Sequence, residues 1–240
     1  ILDFMAHNYS TDQMILASIG DISSREFEKL AMTYFGDQPA HLIDRKREAF
    51  KGYTPECRKE TRNNHLSHCI IGGIAPEFSS PQRMPIVMLN NVLGGPAMSS
   101  RLGLNIREKY GFAYSIESQY TAYSDVGLIN VYMGVDPDSL ERAIELVHKE
   151  LDKLCTQKLG TLQLHHAKQQ LIGQVALSYE SGMNELLSAT RSLLMGEPIE
   201  YMDDIIRNVE AVTADDILEV ANRVFDEKQL SRIVFEGDTP

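Results

Sequence analysis

The sequence predicts an α+β fold: a largely antiparallel sheet covered by helices. Three observations carry that expectation. Apolar runs of strand character alternate along the chain with segments whose apolar residues fall at helical 3–4 spacing. Two of the strands are joined by a short polar turn, so at least one pair is an antiparallel hairpin. No linker, internal repeat or low-complexity stretch interrupts the pattern, so residues 1–240 read as a single domain.

The elements follow in order. Residues 2–9 read as the end of a helix. Residues 14–19, Met-Ile-Leu-Ala-Ser-Ile, are apolar almost throughout and stop at Gly20, the signature of a buried strand. Ser23 and Glu26 have capping-box spacing, in which hydroxyl and carboxylate each satisfy an N–H of the first turn. Phe27, Leu30, Ala31 and Tyr34 then form one helical face, and Gly36 stops it. Residues 37–62 are charged and lack a period; they read as a loop with one strand near 50–53. A strand is expected over 65–74. A helix follows Pro81 and Pro85, and Gly94-Gly95-Pro96 breaks it. Ser99 or Ser100 caps a helix containing Leu102 and Ile106, and Gly111 ends it in the left-handed conformation.

The hairpin comes next. Strand alternation places Phe112, Tyr114, Ile116, Ser118 and Tyr120 on one face of its first strand. Ser124, Asp125 and Gly127 make the turn, and Ile129, Val131, Met133 and Val135 line one face of the second strand. Asp136 and Pro137 open the clearest helix, with an apolar stripe at Leu140, Ile144, Val147, Leu151 and Leu154. Helices are expected over 162–179, 184–195 and 199–208. Thr213 and Asp216 start another helix carrying Ile217, Val220, Ala221 and Val224, and residues 230–235 close as a strand.

Composition removes several functions. Of 240 residues, 43% are hydrophobic and 24% charged, an ordinary globular balance. A chain this long buries roughly 70% or more of its unfolded surface, enough for a core without metal or disulfide staples. A net charge of −11 argues against nucleic acid as a partner, because phosphate contact needs clustered Lys and Arg. It also disfavours an anionic membrane surface. No apolar stretch reaches the length of a membrane-spanning helix, and the first residues lack a signal-peptide plan. Cys57, Cys69 and Cys155 are three, with no short repeat spacing, so free thiols in a reducing, cytoplasmic compartment are expected.

Few side-chain constellations offer chemistry. His65-x-x-His68 next to Cys69 is the one metal-like cluster. The odd offset sends the two imidazoles to opposite faces of a strand, so edge-strand histidines beside a small buried thiol are expected instead. His165 and His166 are adjacent on a helix, about 100° apart, which suits one facing solvent and one a helix neighbour. There is no Gly-x-Ser-x-Gly, no Cys-x-x-Cys and no His-x-x-Glu-His. Gly94-Gly95-Pro96 lacks the Lys-Ser/Thr of a phosphate loop. What remains is Arg107 in the last turn of a helix and Tyr114 early in the strand after Gly111. The helix–Gly–strand turn can bring both to one rim. Spacing alone favours the plainer reading, a helix-end cation with a dipole role and an ordinary strand Tyr.

The surrounding residues carry a further signal. Ser99-Ser100-Arg101-Leu102, Arg107-Glu108-Lys109 and Gly111-Phe112-Ala113-Tyr114-Ser115 closely resemble the second half of pitrilysin-type zinc metallopeptidases, the insulinase and mitochondrial-processing-peptidase-like family. The likeness extends to the 14–20 segment with Asp21, to Gly94-Gly95 and to the 123–134 hairpin. It implies one half of a clamshell peptidase fold. It also implies that Arg107 and Tyr114, seven positions apart, are the family's substrate-binding Arg and Tyr. The family's zinc motif, His-x-x-Glu-His plus a later Glu, lies in the other half and is absent here, so no zinc is expected in this chain. The chain then reads as a zinc-free half, excised from a longer protease or made as a separate subunit. Its expected partners are a zinc-bearing half or subunit, in a homo- or heterodimeric setting, and an extended peptide substrate. Alone it is expected to hydrolyse nothing and to hold no stoichiometric zinc. The competing reading is a non-catalytic scaffold subunit of the same family.

Overall fold

The computed structural model describes residues 1–44, 46 and 48–237. Its helices are α1 (Leu2–Asn8), α2 (Ser24–Phe35), α3 (Arg83–Gly94), α4 (Leu140–Thr156), α5 (Thr161–Tyr179), α6 (Gly182–Met195), α7 (Met202–Ala211) and α8 (Ala214–Val224). The strands are β1 (Cys57–Arg62), β2 (Ser67–Ala75), β3 (Ala113–Ala122), β4 (Gly127–Val135) and β5 (Ser231–Gly237). A π-helical turn spans Gly103–Glu108. The chain divides into two compact units, one of Ile1–Ala49 with Gly173–Ile205, the other of Phe50–Ile172 with Ile206–Pro240.

The larger unit holds the sheet, in the order β1-β5-β2-β4-β3. The β3–β4 hairpin, the β2–β4 pair and the β2–β5 pair are antiparallel, and β1–β5 is parallel. The fold class is thus α+β with a mixed, mainly antiparallel sheet. Alternation decides which side is dry. Cys69 and Ile71 from β2, and Ile129, Val131, Met133 and Val135 from β4, are buried. Ile86, Leu89 and Leu93 of α3, which packs on β3 and α8, and Ile217, Val220 and Val224 of α8, which packs on β2, are buried as well. Each such side chain removed from water contributes about 1.5–3 kcal/mol. The α4 stripe anticipated from the sequence is buried at all five positions and packs against α8. On the opposite face, Ile70, Leu128, Ile233 and Phe235 are exposed, so within the larger unit the described helices cover one side of the sheet.

Helix ends follow local chemistry. Thr213 and Asp216 form a reciprocal capping box, with the Asp216 N–H donating to Thr213 Oγ1 at 3.1 Å and the Thr213 N–H to Asp216 Oδ2 at 2.8 Å. Ser23 Oγ accepts the Glu26 N–H at 3.2 Å. Asp136 precedes Pro137 at the entry to α4 but makes no side-chain cap bond.

Two strand expectations fail. The predicted strand near 50–53 is coil, and β1 lies further on, in Cys-Arg-Lys-Glu-Thr-Arg. β1 is an edge strand, and edges tolerate charge on both sides because one flank faces water. Lys59, for instance, pairs with Glu236 of β5 at 2.7 Å. Residues 14–19 are also not a strand. They run as coil in the smaller unit, which contains no strand among the described residues, so nothing offers them a ladder. Leu16 is 52% exposed. The smaller unit has no buried apolar side chain among the described residues, and the Phe27–Tyr34 face of α2 is not buried.

Candidate functional site

Three irregularities between Gly94 and Gly111 build the site. Gly94-Gly95-Pro96 ends α3 where it passes against β3. A Cβ at Gly94 would stand 2.5 Å from the Ser118 amide nitrogen, so only glycine allows that approach. The next helical segment widens into the π-helical turn, where Ile106 is fully buried and Arg107 is carried in the last part. Such turns insert one residue into a helix and commonly mark functional positions. Gly111, at φ 67°, then reverses the chain, flanked by the stacked rings of Tyr110 and Phe112 with centroids 5.4 Å apart.

The strand that follows begins with a β-bulge. Ala113 pairs with Val135 and Ser115 with Gly134, leaving Tyr114 as the extra residue. The expected single face of Phe112, Tyr114, Ile116, Ser118 and Tyr120 is therefore broken. Ile116 and Ser118 are buried, while Tyr114 is 72% exposed. A bulge turns one side chain out of the pleat, which is the physical reason for the difference. The Tyr114 hydroxyl makes no hydrogen bond among the described residues.

Arg107 lines a cavity of about 280 Å³ with Asn90, Gly94, Gly95, Ser100, Glu117 and Ser118. Its Nε donates to Glu108 Oε1 at 3.1 Å, while its two Nη groups make no protein hydrogen bond among the described residues. Ser118 Oγ donates to the Asn90 carbonyl at 3.0 Å, tying β3 to α3 at the cavity wall. Asn90 Oδ1 is buried without a partner. The sequence singled out Arg107 and Tyr114 but missed Asn90 and Glu117. Their signal is the close passage of α3 against β3, which Gly94 alone hints at. Arg107 and Tyr114 lie on either side of the Gly111 turn, and no hydrogen bond joins them.

Among the described residues, no group of three or more His, Cys, Asp or Glu side chains could hold a metal ion. His65 is exposed, and His68 Nδ1 lies 2.9 Å from Tyr132 Oη in a stacked pair. His165 and His166 are both exposed, their rings 6.0 Å apart, where one had been expected against a helix neighbour. The three cysteines are free. Burial pushes the Cys69 thiol up to about 12 and Cys155 up to about 11. No helix among the described residues is long and apolar enough to cross a membrane.

Comparison with known proteins agrees with this architecture. Residues 1–171 match the family described as the peptidase M16 inactive domain. An uncharacterized zinc protease of Bacillus subtilis (strain 168) is 30% identical over 241 residues, covering 99% of this chain and 58% of the relative. The alpha subunit of the human mitochondrial-processing peptidase is 24% identical over 246 residues, covering 92% of this chain and 46% of the subunit. The chain thus spans about half the length of the curated relatives it matches. The crystal structure of a peptidase M16 inactive domain from Pseudomonas fluorescens superposes with a TM-score of 0.81 at 18% identity, over 92% of this chain and 53% of that one. The family match spans more than half of the chain, and the fold agrees with it. The chain belongs to the peptidase M16 family of zinc proteases and carries its inactive domain.

Proposed function

We propose that this chain is the C-terminal, substrate-binding half of a zinc-dependent endopeptidase acting on unfolded, extended peptides in a closed chamber, and that it works opposite a zinc-bearing half or partner subunit. The observation that carries the reading is the state of the Arg107 side chain: a guanidinium at a cavity whose two Nη groups have no protein partner among the described residues. A fixed fork of donors suits a peptide carbonyl or carboxylate, which a point charge serves less well. Tyr114, turned out of the sheet with its hydroxyl unengaged, supplies an O–H to the scissile carbonyl oxygen as negative charge develops there. The zinc of the other half, when bound, supplies carbonyl polarisation and an activated water. This chain binds and orients peptide and holds no metal.

The test uses the chain reconstituted with its zinc-bearing half and a quenched fluorescent peptide. Arg107→Ala and Tyr114→Phe should each lower kcat by about 10²–10³, the usual effect of losing one oxyanion donor. Zinc content should not change, and Arg107→Lys should be nearly as poor as Arg107→Ala. Unchanged turnover in both Arg107→Ala and Tyr114→Phe would replace this reading with the scaffold reading. Robust hydrolysis by the 240-residue chain alone would overturn the division of labour.

A further inference from the structure

The Ser99-Ser100-Arg101-Leu102 run contains an arginine that the Arg107–Tyr114 site does not use. Arg101 lines a second cavity, of about 340 Å³, together with Asn91, Ser100, Gln163, His166 and Gln170. This cavity lies between the end of α3, the chain leading into the π-helical turn and the first half of α5. It falls within one compact unit.

The hydrogen-bonding capacity left over around it is one-sided. Arg101 is half-buried and makes no hydrogen bond or ion pair among the described residues. Burial holds its guanidinium below the ordinary arginine value, with the Glu150 carboxylate acting in the opposite direction. Glu150 is itself buried and takes Lys153 as its direct partner at 2.6 Å. Asn91 is 4% exposed, and its Nδ2 is buried without a hydrogen-bond partner. Proteins pair almost every buried polar group, so an orphan amide donor beside a cavity calls for an acceptor. The neighbouring amides are already turned the same way. Gln170 Oε1 accepts from Ser99 Oγ at 3.1 Å, and Gln163 Oε1 accepts from the Gly160 N–H at 3.1 Å. Their carbonyl ends are engaged, so their NH₂ ends remain to be offered. The residues lining this space thus bring a guanidinium and three side-chain amides with uncommitted N–H groups, and no acidic side chain is among them.

We propose that this cavity binds a carboxylate, held bidentate by Arg101 and capped by the Asn91 amide. The planar guanidinium fork matches the two oxygens of a carboxylate. A cavity near the lower end of the size range for small-molecule sites sets the ligand's scale at a few heavy atoms beyond that group. Either a free small acid or the C-terminus of a peptide carries this chemistry. The site is independent of the Arg107–Tyr114 pair.

The experiment is titration calorimetry on the 240-residue chain. The probes are N-acetylglycine and N-acetyl-alanyl-alanine, each as the acid and as its carboxamide, with inorganic phosphate as a further arm. The acids should bind saturably, and the carboxamides at least about 10-fold more weakly, because a charge-assisted pair of bonds is lost. Arg101→Met should abolish the binding. Asn91→Asp, nearly isosteric, should weaken it at least about 10-fold with the circular dichroism spectrum unchanged. A tighter dipeptide acid would name a peptide C-terminus as the source, and equal affinities a free acid; both support the site. The proposal is overturned if acids and carboxamides bind alike, if neither acid saturates, if phosphate alone binds, or if Arg101→Met leaves the affinity unchanged.

Discussion

Gly94 and Gly111 show how much of the site rests on single atoms. At Gly94 a methyl group would press on the backbone of β3, which cannot yield as a side chain would. Gly94→Ala should destabilise the chain by about 1–3 kcal/mol, as overpacking does, measured by urea denaturation. Gly111 has open space around it but a φ of 67°, so Gly111→Ala should cost only about 1–2 kcal/mol of left-handed strain. An order of severity opposite to this would count against the close-approach account. The cysteines allow a second residue-scale test. Cys57 is exposed, whereas burial holds Cys69 at about 12 and Cys155 at about 11, far from thiolate at neutral pH. Alkylation near neutral pH should label one thiol per folded chain quickly and the other two only on unfolding. Rapid labelling of Cys69 in the native chain would contradict its burial.

At the level of elements, Arg107 and Tyr114 owe their placement to two defects in regular structure, the π-helical turn and the bulge. Deleting exposed Leu104 should restore ordinary winding, because a π-turn amounts to one extra residue in an α-helix. The expected outcome is a melting temperature close to that of the wild type, with turnover of the reconstituted enzyme falling as far as in Arg107→Ala. Retained turnover would show that the winding does not position Arg107. Neither defect was legible in the sequence, where period-2 reading put Tyr114 on the same face as Ile116. Bulges and π-turns answer to packing partners elsewhere in the chain, which local spacing does not report. The hairpin, the α4 stripe and the Thr213–Asp216 cap were legible because their signals are local: alternation, 3–4 spacing and a three-residue offset. β1 was hidden because an edge strand needs no apolar face. Residues 14–19 misled in the opposite direction, since an apolar run announces burial but a ladder needs a neighbour. Arg107 and Tyr114 could be named as candidates from their motif; the cavity beside Arg107, with Asn90 and Glu117, could not.

Across the whole molecule, apolar surface is unevenly distributed. The larger unit has a continuous core, while the smaller one presents Phe4, Leu16, Met32, Tyr34 and Leu187 to solvent. An anionic naphthalene dye should therefore bind the folded 240-residue chain with strong fluorescence, well above that of a typical single domain. Addition of the zinc-bearing half should quench that signal if the two associate through this surface, and leave it unchanged otherwise. The order of the sheet has a different consequence, in time rather than space. β5, at Ser231–Gly237, lies between β1 and β2, which are made some 160 residues earlier. A growing chain can pair β3 with β4 across a short turn and seat β2 on β4 once that hairpin has formed, yet β1 has no seat until β5 arrives. During synthesis the edge of β2 therefore stands open until Ser231–Gly237 has emerged. Long-range pairing of this kind folds slowly and leaves strands unprotected while it waits. A chain ending at Leu230 should remain protease-sensitive and aggregate when expressed, however intact its hairpin.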